Sequence, residues 1–281
     1  MARRRPRRGG AAGAGSPRGR PSRARRPRRL RGSAIATYRD EALILRKLDY
    51  GEADRILTLL TREHGKVGVI AKGVRRQASR LGPVLEVFTH VDVQLARGRN
   101  LDVVTQAVRL PGPRFPADVE RTARAALVCE LADRVAEDRH PAPDVFAMTA
   151  EGLRELAVEP DPRRATSRFL FGALAELGYG PRLYECASCD RPLPAAPAPF
   201  APEAGGFLCP DCARPGMHQV PVGAIKVLRV LEAGDIPLYR RLKLEDELLA
   251  EVELVLEAQL EHHLDRQLRS LRFLRQMRTP S

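Results

Sequence analysis

The chain has 281 residues, enough for two domains of ordinary size, and its 48 basic and 35 acidic residues give a formal net charge of +13. It has no run of about twenty apolar residues, and its N-terminal region lacks the apolar centre of a secretory signal. These features exclude a membrane-spanning protein and favour a cytoplasmic one.

The entire charge excess lies in residues 1–33. This segment holds thirteen arginines and no acid, which leaves 35 basic and 35 acidic residues in 34–281. It consists almost wholly of Arg, Gly, Ala, Pro and Ser, so we expect it to be disordered. Such a polycation can bind phosphates without sequence preference. Genomic codon usage or a mis-assigned start codon could also create it.

Residues 34–110 alternate apolar and polar positions with period two, which predicts a small all-β domain. The predicted strands are 42–48, 55–61, 66–71, 87–95 and 101–108, with a tight turn at 63–66. Five short strands in so few residues favour a closed barrel such as the OB-fold, because closure removes exposed edges.

A proline-rich stretch at 111–116 marks a domain boundary, and the pattern becomes helical after it. Residues 115–281 are therefore predicted to form an all-α domain, with helices at 117–138, 143–157, 162–178, 220–232 and 245–276. The last of these has one apolar stripe, which indicates a face packed on the core. Its acids are expected on the solvent side: Glu245, Asp246, Glu247, Glu251, Glu253 and Glu257.

Four of the five cysteines form two C-x-x-C pairs within an insertion at 184–214. They are Cys186, Cys189, Cys209 and Cys212. Without an export signal, this spacing favours metal binding over disulfides, and four thiolates complete the tetrahedral shell of one structural Zn²⁺ ion. A redox dithiol pair and a site without metal are the alternatives. Cys129 lies in a helical stretch and is expected to be a core residue.

A second candidate site follows the third predicted strand, where cations cluster around glycine. A loop of this kind at the mouth of a barrel can follow a phosphate backbone, and the next hairpin could extend the path. The candidate DNA-binding residues are Lys72, Arg75, Arg76, Arg80, Arg97 and Arg99. The alternative is an ordinary solvated loop.

No catalytic triad or paired-carboxylate motif stands out, so we expect no enzyme activity. Two other classes stay open at this point: a zinc-containing regulator that reads a specific nucleic-acid sequence, and a metal-dependent nuclease. The regulator would discriminate strongly between duplex sequences. The nuclease would need carboxylates or open metal positions, which the sequence does not offer.

Several segments together form a recognisable ordered pattern: 54–66, 71–76, 79–81, 177–179, 263–264 and 270–274. The Lys-Gly-x-Arg-Arg stretch at 72–76, in its β context, is moderately specific, and the ordered combination of segments is highly specific. Over roughly residues 34–281, this pattern resembles the RecO family of bacterial DNA repair proteins. The arginine-rich segment lies outside the resemblance.

The resemblance implies an OB-fold followed by a helical domain with a zinc-binding insertion. It also implies a recombination mediator of the RecF pathway, without catalysis, acting in the cytoplasm at the nucleoid. Such proteins bind single- and double-stranded DNA and anneal complementary strands. With RecR they help RecA replace single-strand-binding protein on gapped DNA.

Overall fold

Apolar residues alternate up to about residue 109 and recur every three to four positions after it, and the architecture follows this change. The computed structural model describes residues 36–112, 115, 117–264 and 267–278. The segment 1–33, predicted to be disordered, lies outside the described residues.

The first part is a closed five-stranded barrel with strand order β1-β2-β3-β5-β4. Its strands are β1 (Thr37–Tyr50), β2 (Asp54–Thr61), β3 (Gly65–Ala71), β4 (His90–Ala96) and β5 (Asp102–Arg109). The long β1 pairs with β4 through its first half and with β2 through its second. A register shift between Ile44 and Arg46 bends it, and a short parallel pairing of β3 with β5 closes the barrel. The predicted OB-type barrel is confirmed.

The fourth strand begins at His90, so the prediction of a strand from residue 87 was wrong at its start. Phe88 has a left-handed backbone with φ of 66°, and its ring lies 5.2 Å from that of Phe115. Phe88 therefore turns toward the helical core instead of continuing the ladder. From His90 on, the predicted alternation holds, with Val91, Val93 and Leu95 buried in the barrel.

Seven α-helices follow in the part of the chain that the structure describes, where the helical spacing predicts five; the short α5 was not predicted. Asp118, Asp161 and Asp235 cap three of them by accepting a backbone N–H. The helices are α1 (Val119–Val135), α2 (Pro143–Val158), α3 (Pro162–Glu176), α4 (Val222–Glu232), α5 (Ile236–Arg241), α6 (Asp246–His263) and α7 (Arg269–Arg278). None of these has both the length and the apolar surface needed to cross a membrane.

The predicted continuous helix at 245–276 is in fact two helices. The first ends at His263, where Leu264 adopts extended backbone, and α7 begins at Arg269. Glu130 of α1 caps the start of α7 by accepting from the backbone N–H groups of Arg269 and Ser270 at 3.0 and 2.9 Å. This tertiary cap stabilises the new helix start and allows α7 to fold back onto α1.

Two acids expected on the solvent side of α6 are buried. Glu253 is 1% exposed and Glu257 4% exposed. Arg124, itself 1% exposed, donates to Glu253 at 2.7 Å, and Arg278 of α7 donates to Glu257 at 2.6 Å. The prediction was wrong because these arginines come from distant positions in the chain and supply the ion pairs that a buried carboxylate requires.

The barrel has a core of its own, and it also packs against the helices within one compact unit, residues 35–281. Leu43, Leu45 and Leu60 of the barrel belong to the same buried cluster as the helices. The connection after α1 lies against the start of β3, where Arg139 donates its backbone N–H to the Lys66 carbonyl at 2.8 Å. A Cβ added at Gly65 would lie 1.8 Å from the His140 carbonyl oxygen, so the approach requires glycine.

The cysteine-bearing insertion, together with the residues that follow it, adds a small antiparallel sheet to the helical part. Its strands are β6 (Ala198–Ala201), β7 (Gly206–Phe207) and β8 (Gln219–Val220), in the order β7-β6-β8. Phe207 and Val220 are fully buried in the helical core. The insertion is therefore attached through apolar contacts as well as through the chain.

Candidate metal centre and nucleic-acid interface

The four predicted ligands meet at one point of the structure. The Sγ atoms of Cys186, Cys189, Cys209 and Cys212 all lie within 4.8 Å of one another. A tetrahedral zinc ion with Zn–S bonds of about 2.3 Å places its sulfurs about 3.8 Å apart. The Cys189 and Cys209 sulfurs are 3.7 Å apart, so the four thiolates fit such an ion.

Each cysteine pair lies on a turn whose backbone is fixed by hydrogen bonds. In the first turn, the Asp190 N–H donates to the Cys186 carbonyl at 3.0 Å, and Asp190 has a left-handed backbone. In the second, the Cys212 N–H donates to the Cys209 carbonyl at 3.1 Å. The turns hold the thiolates in place, which reduces the entropy lost when a metal binds.

Backbone donors stabilise the most buried thiolate. Burial alone raises the pKa of Cys186, but the N–H groups of Cys209, Ser188 and Cys189 outweigh it and lower the pKa to about 6. The Cys209 N–H lies 3.3 Å from the Cys186 sulfur. A thiolate form at neutral pH is the form that binds metal.

Arg191 also belongs to this centre, although the sequence analysis did not select it. Its guanidinium donates to the Cys189 sulfur at 3.4 Å and to the Cys209 sulfur at 3.7 Å, and it pairs with Asp211 at 2.7 Å. Four thiolates and a divalent ion carry a net charge of −2, which this cation partly offsets. Its position two residues after a C-x-x-C pair was the only available signal.

His218 and Cys129 lie outside the cluster. His218, close to it in sequence, pairs with Glu251 at 2.8 Å. Cys129 is 2% exposed within α1, as predicted for a core residue, and burial raises the pKa of its thiol.

The first predicted DNA-binding segment forms a fixed turn at the end of β3. The Gly73 N–H donates to Asp54 at 2.7 Å, and the Arg75 N–H donates to the Ala53 carbonyl at 2.9 Å. Val74 is 2% exposed and packs in the barrel core. The turn therefore holds its neighbouring cations on the rim of the barrel, beside the β1–β2 loop.

The cations of this turn differ in whether an acidic side chain already pairs with them. The Arg75 guanidinium is 3.4 Å from Asp49 and donates to the Gly51 carbonyl at 3.2 Å. Lys72, Arg76 and Arg80 are exposed and have no acidic partner within the described residues. The charges of these three side chains are therefore available to bind a phosphate.

Arg97 and Arg99 lie at the opposite end of β1 from this turn. They belong to the β4–β5 connection, where the Arg97 guanidinium lies over the Tyr38 ring at 4.8 Å. The two groups share no hydrogen-bond or ion-pair partner among the described residues, although β3, which leads into the turn, pairs with the start of β5. Their joint role in a single DNA path remains a prediction.

A buried carboxylate, Asp102, holds the β4–β5 connection in place. Asp102 accepts from Tyr38 at 2.6 Å, from the Gly98 N–H at 2.9 Å and from Arg139 at 3.0 Å. Burial opposes its ionisation, but the hydrogen bonds from Arg139, Tyr38 and Gly98 outweigh it and hold the pKa of Asp102 below its usual value. Because Arg139 follows α1, this network joins the barrel to the helical part.

Comparison with known protein families divides the chain at the proline-rich connection. Residues 35–110 match the family described as Recombination protein O N terminal, and residues 116–272 match Recombination protein O C terminal. The DNA repair protein RecO of a Nocardioides species is 42% identical over 243 residues, covering 84% of this chain and 98% of the relative.

Two further relatives have the same name and similar coverage. The DNA repair protein RecO of a Roseiflexus species is 39% identical over 244 residues, covering 86% of each chain. That of Dehalococcoides mccartyi is 37% identical over 240 residues, covering 84% of this chain and 94% of the relative.

Proposed function

The chain belongs to the RecO family of DNA repair proteins, and from that premise we propose that it is a non-catalytic recombination mediator. In this role it binds single- and double-stranded DNA and anneals complementary strands. With RecR, it promotes the loading of RecA onto DNA coated with single-strand-binding protein. Its site of action is the cytoplasm, at the nucleoid.

The observation that carries this proposal is the cationic turn on the rim of the closed barrel. Lys72, Arg76 and Arg80 extend from a backbone that is anchored to the barrel, without acidic partners in the described part of the chain. Fixed cations of this kind bind a phosphate backbone through counterion release, and they do so without reading its sequence. Sequence-independent binding is what an annealing protein needs.

We assign the metal as zinc and its role as structural. Four thiolates are soft ligands that zinc accepts in a tetrahedral shell, and the four sulfurs fit that geometry. Zinc held in this way cross-links the two cysteine turns and leaves no coordination position for water. The centre therefore supports the fold of the insertion and supplies no hydrolytic chemistry.

Strand annealing tests the proposal. Two complementary labelled strands, each precoated with single-strand-binding protein, are mixed with the protein, and duplex formation is followed by fluorescence transfer. We expect the wild-type chain to anneal them, and the double variant Lys72→Gln/Arg76→Gln to anneal them several-fold more slowly.

The matched control removes the same charge elsewhere. Lys226→Gln/Arg241→Gln changes two exposed cations on α4 and α5 and should anneal at the wild-type rate. Equal rates for both double variants would remove the barrel turn from the mechanism. Cleavage of either strand on addition of magnesium or manganese would contradict the non-catalytic assignment.

A further inference from the structure

Three planar groups adjoin one another at the end of the barrel where β1 begins. The Arg97 guanidinium carbon lies 4.8 Å from the centre of the Tyr38 ring. The Tyr38 ring centre also lies 4.4 Å from that of His64, with the two rings tilted by 44°. Tyr38 packs against the barrel core, so the stack is built on the core and ends at the surface with Arg97.

Two buried carboxylates hold the rings in place. Asp102, which is fully buried, accepts the Tyr38 hydroxyl at 2.6 Å. Asp40, whose side chain is 1% exposed, lies 2.7 Å from the His64 Nδ1. Because the rings are already fixed, a ligand that stacks on this platform loses little further side-chain entropy from the protein.

The outer group of the stack is a cation with an open face. Arg97 is exposed, and it has no acidic partner within the described residues. The nearby Asp102 carboxylate is already satisfied by Tyr38, Gly98 and Arg139. The platform therefore presents a flat, positively charged surface, next to a second exposed cation at Arg99.

We propose that an unpaired nucleobase of single-stranded DNA stacks on the open face of the Arg97 guanidinium. A base offers the matching flat π surface, and its neighbouring phosphates complement the charge of Arg97 and Arg99. A base inside a duplex cannot reach the platform, because both of its faces are covered. This inference rests on the proposed DNA-binding function and gives Arg97 a role beyond contact with a phosphate.

The test separates stacking from charge by changing arginine to lysine. Arg97→Lys keeps the charge and loses the plane, and Arg241→Lys makes the same change in an exposed arginine of α5, outside the platform. Binding of a labelled oligothymidylate is measured by fluorescence anisotropy, beside an oligomer of the same length with abasic interior positions. Thermal midpoints confirm that both variants are folded.

Arg97→Lys should weaken binding of the intact oligomer by about tenfold, the scale of one base–side-chain stack. It should leave binding of the abasic oligomer and the salt dependence of both unchanged. Arg241→Lys should change neither affinity. Two outcomes would contradict base stacking on Arg97 while leaving the proposed DNA-binding function intact. In the first, the wild-type protein binds both oligomers equally well. In the second, the Arg97→Lys variant binds the intact oligomer as tightly as the wild type.

Equal losses on both oligomers would also overturn it, because they would show that Arg97 acts on the phosphate backbone. A wild-type chain that binds neither oligomer overturns the proposed function together with the platform.

Discussion

Cys186 has the most protected thiolate of the metal centre, with no exposed surface and three backbone N–H donors. Changing Cys186 to Ser removes one of four ligands and leaves a hydroxyl, which binds zinc far more weakly than a thiolate. We expect the variant to lose most of its zinc and to melt about 5–10 °C lower, since a few kcal/mol shifts a chain of this size by that amount.

Cys129→Ser is the matched control for that experiment, because Cys129 is equally buried but lies in α1, outside the cluster. It should lower the thermal midpoint while keeping the metal content of the wild-type chain. Metal is measured by mass spectrometry of the purified protein. Unchanged zinc in Cys186→Ser would contradict the assigned ligand set.

Neutralising cations of the barrel turn should change how steeply DNA affinity falls with salt concentration. Neutralising Arg75 and Arg76 together removes at most two phosphate contacts. The slope of log affinity against log salt should therefore flatten by up to about 1.8 units on duplex DNA and about 1.4 on single strands. Because Arg75 already interacts with Asp49, Arg76→Gln should account for more than half of the change.

DNA affinity measured across a salt series checks this expectation, with Lys226→Gln/Arg241→Gln as the charge-matched control. If the slope and the affinity of the Arg75/Arg76 variant both equal those of the wild type, DNA binds elsewhere on the molecule.

Most elements of the fold could be predicted because their signals are local. Alternation in 91–95 requires only that one face be buried, and the two C-x-x-C turns carry their own ligand spacing. The break between α6 and α7 could not be predicted in this way. It depends on Glu130, more than a hundred residues earlier, which caps the start of α7.

The same limit applies to side chains whose environment is tertiary. Glu253 and Glu257 have the spacing of a solvated helix face, and nothing near them in sequence indicates their partners. Arg124 and Arg163 come from α1 and α3 to reach Glu253. For the same reason, the sequence around Asp102 does not indicate that this residue binds Arg139 and so joins the barrel to the helical part.

The packing of β3 against the connection after α1 can be tested at one glycine. Gly65 and Gly51 both have a left-handed backbone, with φ of 68° and 58°. A Cβ at Gly51 meets nothing within 4 Å, whereas one at Gly65 meets the His140 carbonyl at 1.8 Å. Gly51→Ala should therefore cost about 1 kcal/mol of backbone strain alone, and Gly65→Ala about 3 kcal/mol or more.

Urea unfolding of the two alanine variants measures both costs. If the two variants have equal free energies of unfolding, the chain around His140 moves to accommodate the added methyl group at no cost in stability. A larger loss for Gly65→Ala would show that the contact between barrel and helical part stabilises the whole unit.

At the scale of the whole molecule, the charge is divided between two unlike parts. Residues 1–33 account for the full +13, whereas residues 34–281 have equal numbers of basic and acidic side chains. Ala36, at the start of the described residues, lies beside the β4–β5 connection, because its carbonyl accepts the Arg97 N–H at 2.8 Å.

Removing the arginine-rich segment should weaken DNA binding in a strongly salt-dependent way. A dense polycation adds affinity through counterion release and raises the effective concentration of DNA near the barrel. A chain that starts at Ser33 should therefore lose much of its affinity near 50 mM salt. It should lose little near 300 mM, where the Debye length falls to roughly 6 Å. Its thermal midpoint should stay close to that of the full chain, because the segment has almost no apolar side chains to contribute to a core. Affinity at both salt concentrations and the thermal midpoint are measured side by side. Equal affinity at low salt would show that the segment plays no part in binding, and a large drop in midpoint would show that it packs on the folded part.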